Sequence, residues 1–129
     1  MIWSIIMSDY NKKPQKLVSK FHIKLPEWAN SYIDKIQDKK LDTSGKRASV
    51  AIELSRLNVK HDSGGPFGTV ITDSEGTILG IGVNRVVPGE SSMLHGEIVA
   101  LFMAQAKTNS FTLHKQKAIL TTSAEPCVM

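Results

Sequence analysis

HDSGGPFGTVITDSEGTILGIGVNR, residues 61–85, holds the strongest local signals in the chain. His61-Asp62-Ser63-Gly64-Gly65-Pro66 concentrates turn formers, and two β-rich runs follow it, Gly68–Thr72 and Thr77–Val83, joined by Asp73-Ser74-Glu75-Gly76. Asp and Gly at that junction supply the backbone conformations that β-branched residues avoid, so the segment is a β-hairpin. Upstream, Lys46–Val59 places Val50, Leu54 and Leu57 on one stripe with Ala51 beside it, and predicts a core-facing helix. Downstream of the loop Pro88-Gly89-Glu90-Ser91-Ser92, residues Ile98, Leu101, Phe102 and Ala106 recur at helical spacing and are expected to form the core stripe of a second helix, with Gln105 at its edge. Ala118–Thr122 is a short apolar strand. Helix, hairpin, helix and strand in this order make an α/β layered domain, with helices long enough to cover a sheet on both faces.

Further out the signals weaken. Residues 1–24 form a polar leader without a sustained period, and residues 25–45 an accessory amphipathic helix and linker. Trp28, Ala29, Tyr32, Ile33 and Ile36 carry the helical spacing, Pro26 suits a first helical position, and Trp28 is expected to anchor this helix on the domain. At the other end the sequence stops at Met129, just past Pro126, where a helix is expected to begin. The expectation is that the C-terminal part of the domain is missing.

Composition narrows the class. With 129 residues, 41% hydrophobic and 22% charged, one globular domain is expected. No apolar run is long enough to span a bilayer, and Met1–Met7 is too short and lacks a basic start, so no membrane partner and a cytoplasmic location are expected. Cys127 is the only cysteine, which excludes an intrachain disulfide. Residues 1–60 hold 12 Lys or Arg against 6 Asp or Glu, and residues 61–129 hold 4 against 6. The basic half reads as a solvated face rather than as a nucleic-acid surface.

Two short groups carry chemistry, each at the expected start of a helix: His95-Gly96-Glu97 and Glu125-Pro126-Cys127. A helix N-terminus is partially positive, which favours a thiolate and the anionic groups of a metal site. Imidazole and thiolate are ligands that zinc prefers. A glutamate two residues after the histidine can sit beside the metal without binding it and exchange protons with a bound water. His22, His61 and His114 have no partners at meaningful spacing and are expected at the surface, and Phe67 is expected in the core.

His-x-Glu followed by Pro-Cys-x-x-Cys is the signature of zinc deaminases. The chain resembles the cytidine and deoxycytidylate deaminase superfamily, in the branch with guanine deaminases and bacterial tRNA adenosine deaminases. Four blocks carry the resemblance over roughly residues 46–129: Gly64-Gly65-Pro66-Phe67-Gly68, Gly82-Val83-Asn84-Arg85, His95-Gly96-Glu97 and Thr122-Ser123-Ala124-Glu125-Pro126-Cys127-Val128-Met129. The resemblance implies a three-layer α/β/α fold, with His95 and Cys127 as ligands of Zn²⁺, Glu97 as the catalytic acid and base, and Asn84 as a substrate-binding amide. It further implies hydrolytic deamination of a nucleobase or nucleoside of guanine or cytosine type, and a homodimer at full length.

Two departures stand out. Gly96 occupies a position where Ala or Val is usual, and the second cysteine ligand would fall just after Met129, so impaired zinc binding and impaired deamination are expected of the chain as it stands. Competing expectations are a tRNA adenosine deaminase, with tRNA as partner, an inactive remnant kept as a binding partner, and a small RNA-binding module that uses the lysines.

Overall fold

The computed structural model describes residues 16–125. Its elements are α1 (Trp28–Ile36), α2 (Ser44–Lys60), β1 (Gly68–Thr72), β2 (Ile78–Val83), α3 (Gly96–Thr108) and β3 (Ile119–Thr122). Residues 1–15 of the expected leader, with Met1–Met7, lie outside the described part. Pro26 precedes α1 rather than opening it, and its carbonyl accepts from Ala29 N at 2.9 Å. Thr43 starts α2 by accepting from Lys46 N through Oγ1, 3.2 Å, with its own backbone extended, which satisfies one of the helix's free N–H groups.

The three strands lie in the order β2-β1-β3, and both pairings are antiparallel. The β1–β2 hairpin is as expected, with one irregularity: Ile71 pairs with Gly80 and Thr72 with Ile78, so Leu79 is an extra residue in β2. Across that bulge Leu79 and Gly80 both face α3, while Ile78 and Ile81 face the other side of the sheet. One core cluster gathers Ile36, Leu41, Val50, Leu54, Val70, Ile78, Ile81 and Val83, with Trp28, Tyr32 and Ile33 packed on it, and so joins α1 and α2 to the sheet. A second gathers Ile71, Leu79, Ala100 and Ala104 under α3. The expected three-layer arrangement, helices on both faces of a sheet, is what forms.

The expected stripe of α3 is wrong. Its buried residues are Gly96, Val99, Ala100 and Ala104, whereas Phe102 is 49% exposed, Ala106 is exposed, and Ile98 and Leu101 are half-buried. The cause lies in β2. A methyl on Gly82 would collide with the Gly96 carbonyl oxygen and the Ala100 nitrogen, and one on Gly80 would sit 2.7 Å from Ala104 N and 2.9 Å from the Ala100 oxygen. Two glycines pave the strand, so the helix settles backbone-first through its smallest residues and the bulky ones are turned aside. Leu57 on α2 is likewise only half-buried, and Asn58 takes the buried place beside it.

Two outcomes follow. Gly82→Ala should destabilise the protein by at least about 3 kcal/mol, because the colliding atoms belong to helix backbone and cannot swing away; urea unfolding measures it, and a loss under about 1 kcal/mol would mean that α3 moves freely on the sheet. Acid should also weaken the fold. Burial works to raise the Asp73 pKa, but the N–H groups of Thr77 and Glu75, each donating to Oδ1 at 2.9 Å, outweigh it and leave the carboxyl below its ordinary value. The Arg56 guanidinium does the same to Glu53. A carboxyl held low in the folded state stabilises it above the unfolded pKa, roughly 4, and that contribution is lost as pH falls below it. Unfolding at pH 6 and pH 3 should show the drop, reduced in Asp73→Asn.

Candidate active site

Backbone hydrogen bonds draw four separate segments to one end of the sheet. Asn84 N donates to Phe67 O at 3.1 Å, Arg85 N to Leu94 O at 2.9 Å, and Ser123 N to Gly68 O at 2.8 Å. Ser123 also accepts from Gly68 N through Oγ, 3.0 Å, so the exit of β3 is tied twice to the start of β1. Between these segments lies a cavity of about 320 Å³, lined by Phe67–Thr69, Asn84, His95–Glu97 and Thr122–Glu125. Asn84, His95 and Glu97, which the sequence singles out from two distant blocks, are therefore together. Cys127 lies outside the described residues, two positions beyond Glu125, which lines the cavity.

His95 occupies the N-cap position of α3 with extended backbone, and its carbonyl accepts from Val99 N at 3.0 Å, yet its side chain makes no capping bond. The imidazole instead stands in the cavity wall, with Nδ1 3.8 Å from Glu97 Oε1 and both side chains mostly covered, 24% and 19% exposed. Glu97 sits in the first turn of α3, where the helix dipole favours its charge. A methyl at Gly96 would come within 3.3 Å of Thr69 Oγ1, so the glycine lets the helix start lie tightly over β1. Asn84 Oδ1 accepts from Val86 N at 3.3 Å, and Nδ2 has no partner among the described residues, which makes it a donor the cavity can use.

Phe67 corrects the expectation of a core residue: it is 44% exposed and forms part of the cavity wall. His61 is exposed as expected but not idle, since its ring stacks on Trp28 with centroids 5.7 Å apart. Trp28 is the expected anchor, and its Nε1 also donates to Ser63 Oγ at 2.8 Å. Sequence reasoning missed Asn58, fully buried and bonded to Gly65 O and Asn84 O. The available signal was an amide on the apolar stripe of α2, four residues after Leu54.

Among the described residues no group of three or more His, Cys, Asp or Glu is arranged to hold a metal. The donors nevertheless suit one. His95 has an imidazole not engaged in capping, and Glu125, the last described residue, lines the cavity two positions before Cys127 in sequence.

The family profile described as cytidine and deoxycytidylate deaminase zinc-binding region matches residues 43–129. No curated protein matches the chain. Among solved structures, guanine deaminase from Nitrosomonas europaea is 35% identical with a TM-score of 0.74, covering 89% of this chain and 64% of its own. Guanine deaminase from Bacillus subtilis is 31% identical with a TM-score of 0.62, covering 67% and 53%. A structure of the tRNA:A34 deaminases that edit A to I at the wobble position is 24% identical with a TM-score of 0.58, covering 65% and 62%, and bears on the fold alone. The chain thus spans less than two thirds of each of these structures.

Because the His95 ring is not used to cap α3, His95→Ala should cost metal-free protein about 1 kcal/mol or less. Denaturant unfolding in the presence of a chelator measures it; a loss near 3 kcal/mol would assign the imidazole to the fold instead.

Proposed function

We propose, for a chain that belongs to the cytidine and deoxycytidylate deaminase zinc-binding family, that it performs hydrolytic removal of an exocyclic amine from a nucleobase, with guanine as substrate. The observation that carries this reading is the convergence of Asn84, His95 and Glu97 on one cavity. The space these residues line, about 320 Å³, falls within the range of small-molecule pockets.

In this reading His95 and Cys127 would hold Zn²⁺, which when bound would supply activation of a water for attack on the ring carbon at neutral pH. The chain's own residues do the rest. Glu97 takes a proton from the attacking water at Oε1 and returns it to the departing amine, while the water's second proton ends on the ring nitrogen beside the attacked carbon, so that ammonia leaves and a carbonyl remains on the ring. Its place in the first turn of α3 keeps the carboxylate within reach of His95 without a competing salt bridge to Lys or Arg among the described residues. Asn84, with Oδ1 accepting from Val86 N, presents Nδ2 to an acceptor on the ring and fixes its orientation. Phe67 offers its ring as a packing surface and keeps bulk water from that side.

Guanine is favoured over cytidine because two solved guanine deaminases share 35% and 31% identity with the chain. Turnover of guanine, cytidine and a tRNA anticodon hairpin, measured side by side with added Zn²⁺, tests the substrate: the rates are expected to be low, in keeping with impaired zinc binding, with ammonia released from guanine ahead of the other two, and turnover of the hairpin alone would overturn it. Glu97→Gln preserves shape but cannot shuttle the proton, so kcat should fall at least about 100-fold while affinity for 8-azaguanine changes little. An active Glu97→Gln protein would remove Glu97 from the chemistry.

A further inference from the structure

The reaction as read uses only the rim of the cavity, yet beneath the rim a hydrogen-bonded line runs back to α1. Asn58, 0% exposed, stands in the last turn of α2, where an apolar residue would complete the stripe of Val50 and Leu54. Its Nδ2 donates to Gly65 O at 2.8 Å and to Asn84 O at 3.0 Å, which binds together the two segments that carry Phe67 and Asn84. Its Oδ1 accepts from Ser63 Oγ at 2.7 Å. Ser63 Oγ accepts in turn from Trp28 Nε1, 35 residues away. Gly64 leaves no slack: a methyl there would meet the Asn84 oxygen and come within 2.6 Å of Asn58 Nδ2. From the other side Arg85 Nη1 donates to Ser63 O at 2.8 Å.

The direction of this line is not free. An indole N–H only donates, so Ser63 Oγ must accept from it and spend its single proton on an acceptor. Two acceptors face that proton, Asn58 Oδ1 at 2.7 Å and the Asn58 carbonyl oxygen at 3.1 Å; on the nearer one it matches an amide whose two protons point to the carbonyls of Gly65 and Asn84. The flipped amide would set an oxygen against two oxygens. The two carbonyls set which end of Asn58 faces Asn84, and Trp28 reinforces that orientation by aiming the Ser63 hydroxyl proton away from the indole and at Asn58.

We propose that Asn58 is the positioning residue of Asn84, and that Trp28 and Ser63 reinforce its orientation. Helix α1, which lies outside the matched family region 43–129, then belongs to the substrate-orienting apparatus. The proposal rests on the deaminase reading for its function but not for its geometry, and the test separates the two.

In ¹⁵N-labelled full chain, Trp28→Phe keeps the aromatic packing and removes the donor, and Ser63→Ala removes the hydroxyl. Both should shift or split the side-chain amide resonances of Asn58 and Asn84, while Ser63→Thr, which keeps the hydroxyl, should leave them in place. With 8-azaguanine as probe, each of the first two variants should weaken binding roughly three- to tenfold, the worth of one well-placed hydrogen bond. The double variant should be no weaker than the worse single one, since both break the same line, and KM should rise while kcat changes less than about twofold. Unmoved Asn84 resonances, or additive effects of the two substitutions, would overturn the proposal. Parent protein that fails to bind 8-azaguanine would refute the deaminase reading, and the resonance shifts would still decide the relay. Neither variant empties the core, so a folded spectrum is expected from both; Asn58→Ala, which takes the donor from the Asn84 carbonyl and opens space at a fully buried position, is left out for that reason.

Discussion

The distance between α3 and β2 governs everything at the sheet end. Gly80 and Gly82 allow the helix backbone to rest on the strand, with Ala100 and Ala104 above them, and any side chain at Gly82 would force the two apart. Because α3 begins at Gly96, that approach also fixes where His95 and Glu97 stand relative to Asn84, which leaves the far end of the same strand. A lift of one ångström along the helix would carry the imidazole and the carboxylate away from the amide together. The packing of small residues here is thus a positional constraint on the cavity wall as much as a source of stability, since Gly and Ala bury little apolar area compared with Leu or Phe.

Much of this was legible in the sequence, for reasons that differ by residue. The hairpin was, because turn formers at Asp73–Gly76 separate two β-rich runs, and the ends of α2 fall within two residues of the expected ones. The grouping of Asn84, His95 and Glu97 in one wall was legible only through the resemblance, because their spacing in sequence carries no distance. The face of α3 was not legible. Counting large apolar residues selects Ile98, Leu101 and Phe102, but the side that docks is chosen by what the opposing strand can accommodate, and glycines accept only alanine and glycine. The bulge at Leu79 was hidden for a related reason: alternation in Ile78-Leu79-Gly80-Ile81 is ambiguous until the pairing partner is known.

Asn58 and Ser63 illustrate how polar groups enter a core without great cost. Each function of the Asn58 amide has a partner, and Asn84 O takes its hydrogen bond from this amide while Gly65 O shares it with Phe67 N. Removing one member of such a network costs more than the network contributes relative to a well-packed hydrocarbon. Arg85, whose pKa burial lowers from its ordinary value, belongs to the same ring of contacts through Ser63 O, so the loop that leads to Phe67 is held from α1, α2 and the β2 exit at once.

The uncapped start of α3 has a consequence for how variants of this protein would be ranked. Ser or Asp at an N-cap stabilises a helix by about 1 kcal/mol over a residue that gives no capping bond, and His95 gives none. A library sorted on thermal stability would therefore enrich His95→Ser and His95→Asp, and in doing so would discard the imidazole from the cavity wall. At this one position the ordering by robustness and the ordering by chemistry run in opposite directions, so a stabilised variant of this domain is informative only when position 95 is held constant.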